Sequence, residues 1–122
     1  MKNARRLGVL MVAVFILLAC FDAFDLFADH SEVIIKITAK KFEYSPNEIT
    51  IEKGVPVILE LTTLDRLHGF NCPGLSIRAD IIPGKVNRVN FVPQNTGTFE
   101  FHCDIFCGEG HENMTGKILV TK

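Results

Sequence analysis

Apolar and polar residues alternate in short runs along residues 33–121, the pattern of half-buried β-strands. Pro, Gly and Asn separate the runs, as in Ser45-Pro46-Asn47, and no segment after Asp29 keeps a helical period. Six or seven strands at this spacing predict an all-β fold, a Greek-key β-sandwich over residues 29–122. The clearest runs are 33–39, 48–53, 55–62, 85–92, 98–103 and 116–121.

The run 98–103 also predicts where its side chains point. Every second residue of a strand faces the same side of the sheet, so Phe99, Phe101 and Cys103 share the inward face. Glu100 and His102 share the other face, and we expect His102 to point to solvent. Cys103 therefore ends a row of residues that faces the core.

The N-terminus has the layout of an export signal. Lys2, Arg5 and Arg6 precede an apolar run over 7–21, which at about 15 residues is shorter than the roughly 20 of a membrane-spanning helix. Leu17-Leu18-Ala19-Cys20 resembles a bacterial lipobox, so lipidation at Cys20, simple cleavage and retention as an anchor all stay open. We interpret 1–28 as an export signal or membrane anchor. The domain is then periplasmic or otherwise extracytoplasmic, with membrane association through the N-terminus.

Composition narrows the class of partner. The chain has 122 residues, enough for one domain with its own core, and 13 Lys and Arg against 14 Asp and Glu give a net charge of -1. No basic stripe is present, which argues against a nucleic-acid partner.

Residues 103–114 concentrate soft metal ligands. Cys103, Cys107, His111 and Met114 supply two thiols, an imidazole and a thioether, the set that copper prefers. Cys-x3-Cys differs from the usual Cys-x2-Cys zinc spacing, and Met is a poor zinc ligand. The segment therefore predicts a copper loop.

A further ligand is expected from outside the loop, and His68 is the candidate. Two thiolates four residues apart can bridge the same two ions, with His68 on one and His111 on the other. Protein atoms then fill every position, which suits electron transfer and leaves no open site for catalysis. We therefore expect no enzyme. Two alternatives remain: a mononuclear electron carrier that uses His68, Cys107, His111 and Met114, and a periplasmic copper-delivery protein.

Cys103 to Met114 resembles the dinuclear CuA loop of cytochrome c oxidase subunit II and nitrous oxide reductase. The segments 68–75 and 78–85 are similar to the oxidase segment around the upstream His ligand. This resemblance implies a cupredoxin sandwich with two copper ions. It also implies the ligand set: bridging Cys103 and Cys107, one ion each for His68 and His111, and weak bonds from Met114 and the carbonyl of Ile105.

Departures from the oxidase pattern limit what the resemblance implies about partners. Oxidases usually carry Glu where this chain has Ile105, and this chain has no Trp for a cytochrome c docking patch. Oxidase subunit II also has a two-helix membrane hairpin, and nitrous oxide reductase has a second copper cluster in a larger domain. We expect a redox partner protein, such as a cytochrome or a membrane oxidoreductase.

Other reactive side chains are expected to have structural roles. Cys72 is expected to pack as a small buried hydrophobe. Asp65, Asp80, Glu109 and Glu112 fit no general acid/base geometry, so we expect solvated loop charges.

Overall fold

The computed structural model describes residues 31–122, so the predicted leader and its Cys20 lie outside the described residues. Within 31–122 the chain forms nine strands and two single-turn 3-10 helices, and no helix is long and apolar enough to cross a membrane. The strands are β1 (Val33–Lys40), β2 (Glu43–Ser45), β3 (Glu48–Glu52), β4 (Val57–Thr63), β5 (His68–Cys72), β6 (Ile77–Ile81), β7 (Asn87–Phe91), β8 (Gly97–His102) and β9 (Thr115–Thr121).

The strands form two sheets that enclose one core, which confirms the all-β sandwich. The four-stranded sheet has the order β2-β1-β4-β7, and the five-stranded sheet has the order β3-β9-β8-β5-β6. Alternation aims every second side chain inward, as in Val57, Leu59 and Leu61 of β4. Each such buried side chain contributes about 1.5–3 kcal/mol by leaving water.

Strand pairing places the functional residues at one end of the five-stranded sheet. β5 is antiparallel to β8, with Asn71 opposite His102. The first residue of β5, His68, therefore lies beside the end of β8, where the segment that carries the predicted ligands begins.

Three strands differ from the sequence prediction. β5, which begins at His68, and β6 both lie between the predicted runs 55–62 and 85–92, where we predicted no strand. Four of the five β5 residues are buried, so β5 lacks the alternation that marks a half-buried strand. The third missed strand, β2, has only three residues.

The predicted exposure of His102 on β8 is also corrected. Its side chain is half-buried rather than open to solvent.

Aromatic rings fill the core beneath the metal loop. Phe101 packs against both Phe70 and Tyr44, with ring centroids 4.6 and 5.1 Å away, and those two rings also contact each other at 6.0 Å. Phe101 and Phe70 are fully buried, and Tyr44 is 3% exposed. Cys72 belongs to the same core as a free, fully buried thiol, which confirms its predicted packing role.

Candidate metal centre

The loop between β8 and β9 folds back on itself. The N–H of Cys103 donates to the carbonyl of Met114 over 3.1 Å, which ties the two ends of the loop together. A single 3-10 turn, His111–Asn113, then directs the chain into β9. Gly110 has φ of 97° and lies against the ring of Phe42, where a Cβ would be crowded, so glycine suits this position.

The loop brings its two thiols together without joining them. The Sγ atoms of Cys103 and Cys107 are 4.0 Å apart, about twice the length of a disulfide bond. Metal–thiolate bonds are about 2.3 Å long, so two sulfurs up to about 4.6 Å apart can bind a common ion. The spacing therefore suits thiolates that share metal ions.

The other predicted donors of the loop surround these sulfurs. Cys107 Sγ is 3.4 Å from His111 Nδ1 and 4.0 Å from Met114 Sδ. Cys103 Sγ is 3.2 Å from the carbonyl oxygen of Ile105. All five predicted site residues of the loop therefore lie in one cluster.

His68 completes the cluster from β5. Its side chain is fully buried, and its ligand atom lies within 4.8 Å of those of Cys103 and Cys107. Nε2 lies 2.7 Å from Asp65 Oδ1, whereas Nδ1 has no hydrogen-bond partner among the described residues. A buried nitrogen without a partner costs free energy, and a metal would satisfy it. The donors present therefore fit a soft metal ion such as copper.

Asp65 contacts the candidate ligand His68, a contact that the sequence did not predict. We expected a solvated charge, but its carboxylate accepts hydrogen bonds from the buried His68 ring and from the backbone N–H of Lys41 and Arg66. Partial burial acts to raise the pKa of Asp65, but the bonds from Lys41, His68 and Arg66 outweigh it and hold that pKa well below its usual range. Its position three residues before His68 was the available signal.

A second missed feature anchors the start of the loop to β6. Arg78 donates two hydrogen bonds to the carboxylate of Asp104, at 2.9 and 2.7 Å, and also pairs with Asp80. Hydrogen bonding to Arg78 lowers the pKa of Asp104. Asp80 is therefore paired rather than free. Because Arg78 is partly exposed, we expect these pairs to orient the loop more than they stabilise the fold.

Gly69 lies between this anchor and the thiols. Its N–H donates to Cys103 Sγ over 3.3 Å, and its carbonyl accepts a 2.6 Å hydrogen bond from the buried hydroxyl of Tyr44. A Cβ at Gly69 would overlap the carboxylate of Asp104. The close approach of β5 to the loop therefore requires glycine here.

We expect Gly69→Ala to destabilise the protein by about 1–3 kcal/mol, the usual cost of overpacking, and to weaken metal retention. Denaturant unfolding of the metal-free protein measures the first effect. Asp104→Ala removes the colliding carboxylate, so the double variant should be more stable than the sum of the two single effects predicts. Strict additivity would contradict the collision.

Burial and, after it, the neighbouring Cys103 together raise the pKa of Cys107 to about 11. The metal-free protein therefore keeps this thiol protonated at neutral pH. A thiol must lose its proton to bind a metal, so metal uptake is coupled to proton release.

The metal-free protein should lose stability relative to Cys107→Ser as the pH rises from about 9 to about 11. Below this window the Cys107 thiol is protonated in both the folded and the unfolded chain. Within it the unfolded chain, with a pKa near the ordinary 9.0, releases the proton that the folded chain retains, so the free energy of unfolding falls. Urea unfolding at stepped pH, with reductant and chelator, measures this. A constant difference across the window would contradict the raised pKa.

Comparison with protein families identifies the fold family. The family described as "Cupredoxin-like domain" matches residues 9–120. The chain belongs to the cupredoxin-like family. Among relatives of this cupredoxin, the cytochrome c oxidase subunit 2 of Thermus thermophilus is 32% identical over 90 residues, which cover 74% of this chain and 67% of the relative. The nitrous-oxide reductase of Cupriavidus necator is 32% identical over 98 residues, which cover 77% of this chain and 15% of the reductase.

Solved structures agree on the fold. The periplasmic domain of subunit II of cytochrome oxidase from Bradyrhizobium japonicum superposes with a TM-score of 0.68 at 24% identity, covering 74% of this chain and 84% of that one. The cupredoxin is thus related to the two protein classes that its loop resembles, which confirms the predicted family, fold and electron-transfer class. The matched region makes up 67% of the length of the oxidase subunit and 15% of the length of the reductase.

Proposed function

We propose that this cupredoxin is an extracytoplasmic electron-transfer protein that holds two copper ions in a CuA-type site. The 4.0 Å separation of Cys103 Sγ and Cys107 Sγ supports this most directly, because His68 from β5 and His111 from the loop both lie beside the pair. Bound copper would supply one-electron exchange.

Each donor has a role set by its place in the cluster. Cys103 and Cys107 would hold both ions between them, because each sulfur has lone pairs for two bonds. His68 from β5 and His111 from the loop would each serve one ion. Met114 Sδ and the carbonyl of Ile105 lie next to one sulfur each and would contribute weaker bonds.

The arrangement favours electron transfer over catalysis. His68, Cys103, Cys107 and Met114 are buried, so bulk water has little access to the donor atoms. All donors except His68 lie together on one loop, whose two ends are joined by the hydrogen bond from Cys103 N–H to the carbonyl of Met114, so electron exchange should need little movement of the chain. A catalytic metal would instead need a position open to substrate.

Copper titration of the reduced protein with electron paramagnetic resonance tests this proposal. We expect two ions per chain and a signal from one unpaired electron shared by both. Saturation at one ion per chain, or a signal confined to one nucleus, would contradict the dinuclear site.

A mononuclear electron carrier is the second candidate. Cys107 alone contacts both His111 and Met114, whereas Cys103 contacts backbone groups of Gly69 and Ile105. A single ion could therefore use His68, Cys107, His111 and Met114. The two candidates differ in what they require of Cys103.

Location and partner follow from the same proposal. The basic and then apolar segment within 1–28 supports export with a membrane-held N-terminus, and the relation to oxidase subunits supports a cytochrome or membrane oxidoreductase as partner. Cell fractionation with and without 1–28 tests location, because retention in the cytoplasm by the chain that includes 1–28 would contradict export.

Phe106 marks a surface where a redox partner could approach the site. It is the most exposed large apolar side chain described, and its ring centroid is 5.8 Å from that of His111. A partner that covers Phe106 would therefore lie next to a proposed ligand.

A further inference from the structure

The orientation of the His68 ring is fixed by something other than a metal. An imidazole binds a metal through one nitrogen, and the hydrogen bond on its other nitrogen decides which one is available. Nε2 of His68 lies 2.7 Å from Asp65 Oδ1, while Nδ1, without a partner among the described residues, is left for the thiol cluster. The contact with Asp65 thus orients the ring through the protein itself.

The carboxylate that does this is itself immobilised. Oδ2 of Asp65 accepts the N–H of Lys41 over 2.7 Å, and Oδ1 accepts the N–H of Arg66 over 2.7 Å. These donors bind different oxygens of the carboxylate, and one comes from the turn after β1 while the other comes from the turn before β5. Rotating the carboxylate away from His68 would break both bonds, so its geometry belongs to the fold.

We infer that Asp65 is a positioning residue, whose carboxylate accepts the Nε2 proton of His68 and so presents the Nδ1 lone pair to the thiols before metal arrives. The effect of Asp65 on copper binding rests on the proposed function, whereas the position of the proton on the His68 ring can be measured in the protein without metal. Partners of this kind, which orient a ligand without touching the metal, typically change metal affinity by about 10- to 100-fold when they are lost.

The first measurement needs no metal. Nitrogen NMR of the reduced, metal-free protein at about pH 8, above the ordinary histidine pKa of about 6.5, reports which ring nitrogen carries the proton. We expect a slowly exchanging Nε2 proton on His68 that is lost in Asp65→Ala and retained in Asp65→Asn, whose amide oxygen can still accept it. A wild-type ring with its proton on Nδ1, or one unaffected by Asp65→Ala, would overturn the inference.

The second measurement is copper affinity by competition with a chelator. Asp65→Ala should bind copper about 10- to 100-fold more weakly, and Asp65→Asn should recover most of this loss. Leu64→Ala is the matched control, because Leu64 lies in the same turn with its side chain 74% exposed, so the change leaves the Asp65 carboxylate and its partners in place. A loss in Leu64→Ala as large as in Asp65→Ala would assign the effect to the turn and overturn the inference.

These measurements distinguish failure of the dinuclear site from failure of the positioning role of Asp65. If the wild-type protein binds one copper ion instead of two, the dinuclear proposal fails, while the NMR measurement of the Nε2 proton of His68 still tests the role of Asp65. If the dinuclear signal appears but Asp65→Ala leaves the ring unchanged, the proposed function stands and the positioning role is wrong.

Discussion

Replacing either Cys103 or Cys107 with serine should abolish the binding of two copper ions per chain. A hydroxyl is a poor ligand for copper compared with a thiolate, and in the dinuclear arrangement each sulfur holds both ions. The two variants should therefore lose copper equally and lose the shared-electron signal altogether. Copper content after desalting, together with electron paramagnetic resonance, measures both effects.

The symmetry of this result separates the two candidate functions. In a mononuclear site only Cys107 is a ligand, so Cys103→Ser would keep one tightly bound ion while Cys107→Ser would lose it. Cys72→Ala is the matched control, because this third thiol is buried in the core and lies outside the cluster. An intact single-copper site in Cys103→Ser would sink the dinuclear proposal, and Cys72→Ala should keep both ions if it folds.

The sequence predicted the loop donors because their chemistry is concentrated in twelve residues. Two thiols, an imidazole and a thioether at these spacings have few uses other than binding a soft metal, and one loop can bring them together by itself. His68 lies 35 residues before Cys103, so the sequence named it only as the candidate for a ligand expected from outside the loop, and no local spacing linked it to the thiols. The pairing of β5 with β8 supplies the physical reason.

The second layer of contacts could not be predicted in the same way. The Asp65 carboxylate that accepts a hydrogen bond from His68 also accepts one from the backbone N–H of Lys41, a residue 24 positions away. The pair between Arg78 and Asp104 likewise joins β6, a strand that the sequence did not reveal, to the loop. Such charges look like ordinary surface residues until the fold brings their partners close.

The strands that were predicted also differ in burial pattern from β5, which was missed. β4 and β9 each have one face toward the core and one toward solvent or intermediate surroundings, so their alternation was visible. β5 is buried on nearly every position and contains Gly69, which breaks the pattern but is required by the close approach of Asp104. The burial of β5 and its Gly69 bring this strand close to the loop, and the same two features removed the alternation by which it could have been predicted.

Phe101→Ala should produce the largest loss of stability among single substitutions in the core near the site, about 3–5 kcal/mol. The ring is fully buried against Phe70 and Tyr44, and it occupies the space that a Cβ at Gly116 would take, so little can move in to fill the cavity. Globular domains are stable by only about 5–15 kcal/mol, so much of the total would be lost. Denaturant unfolding of the reduced, metal-free protein measures the change.

Phe106→Ala is the matched control for this substitution. Phe106 is 77% exposed, so the same change of side chain removes little buried surface and should alter the free energy of unfolding by no more than about 0.5 kcal/mol. Because Phe101 lies two residues before Cys103 on β8, the cavity should also loosen the base of the loop and weaken copper retention. A loss below about 1 kcal/mol in Phe101→Ala, or an equal loss in both variants, would show that the aromatic cluster does not support the site.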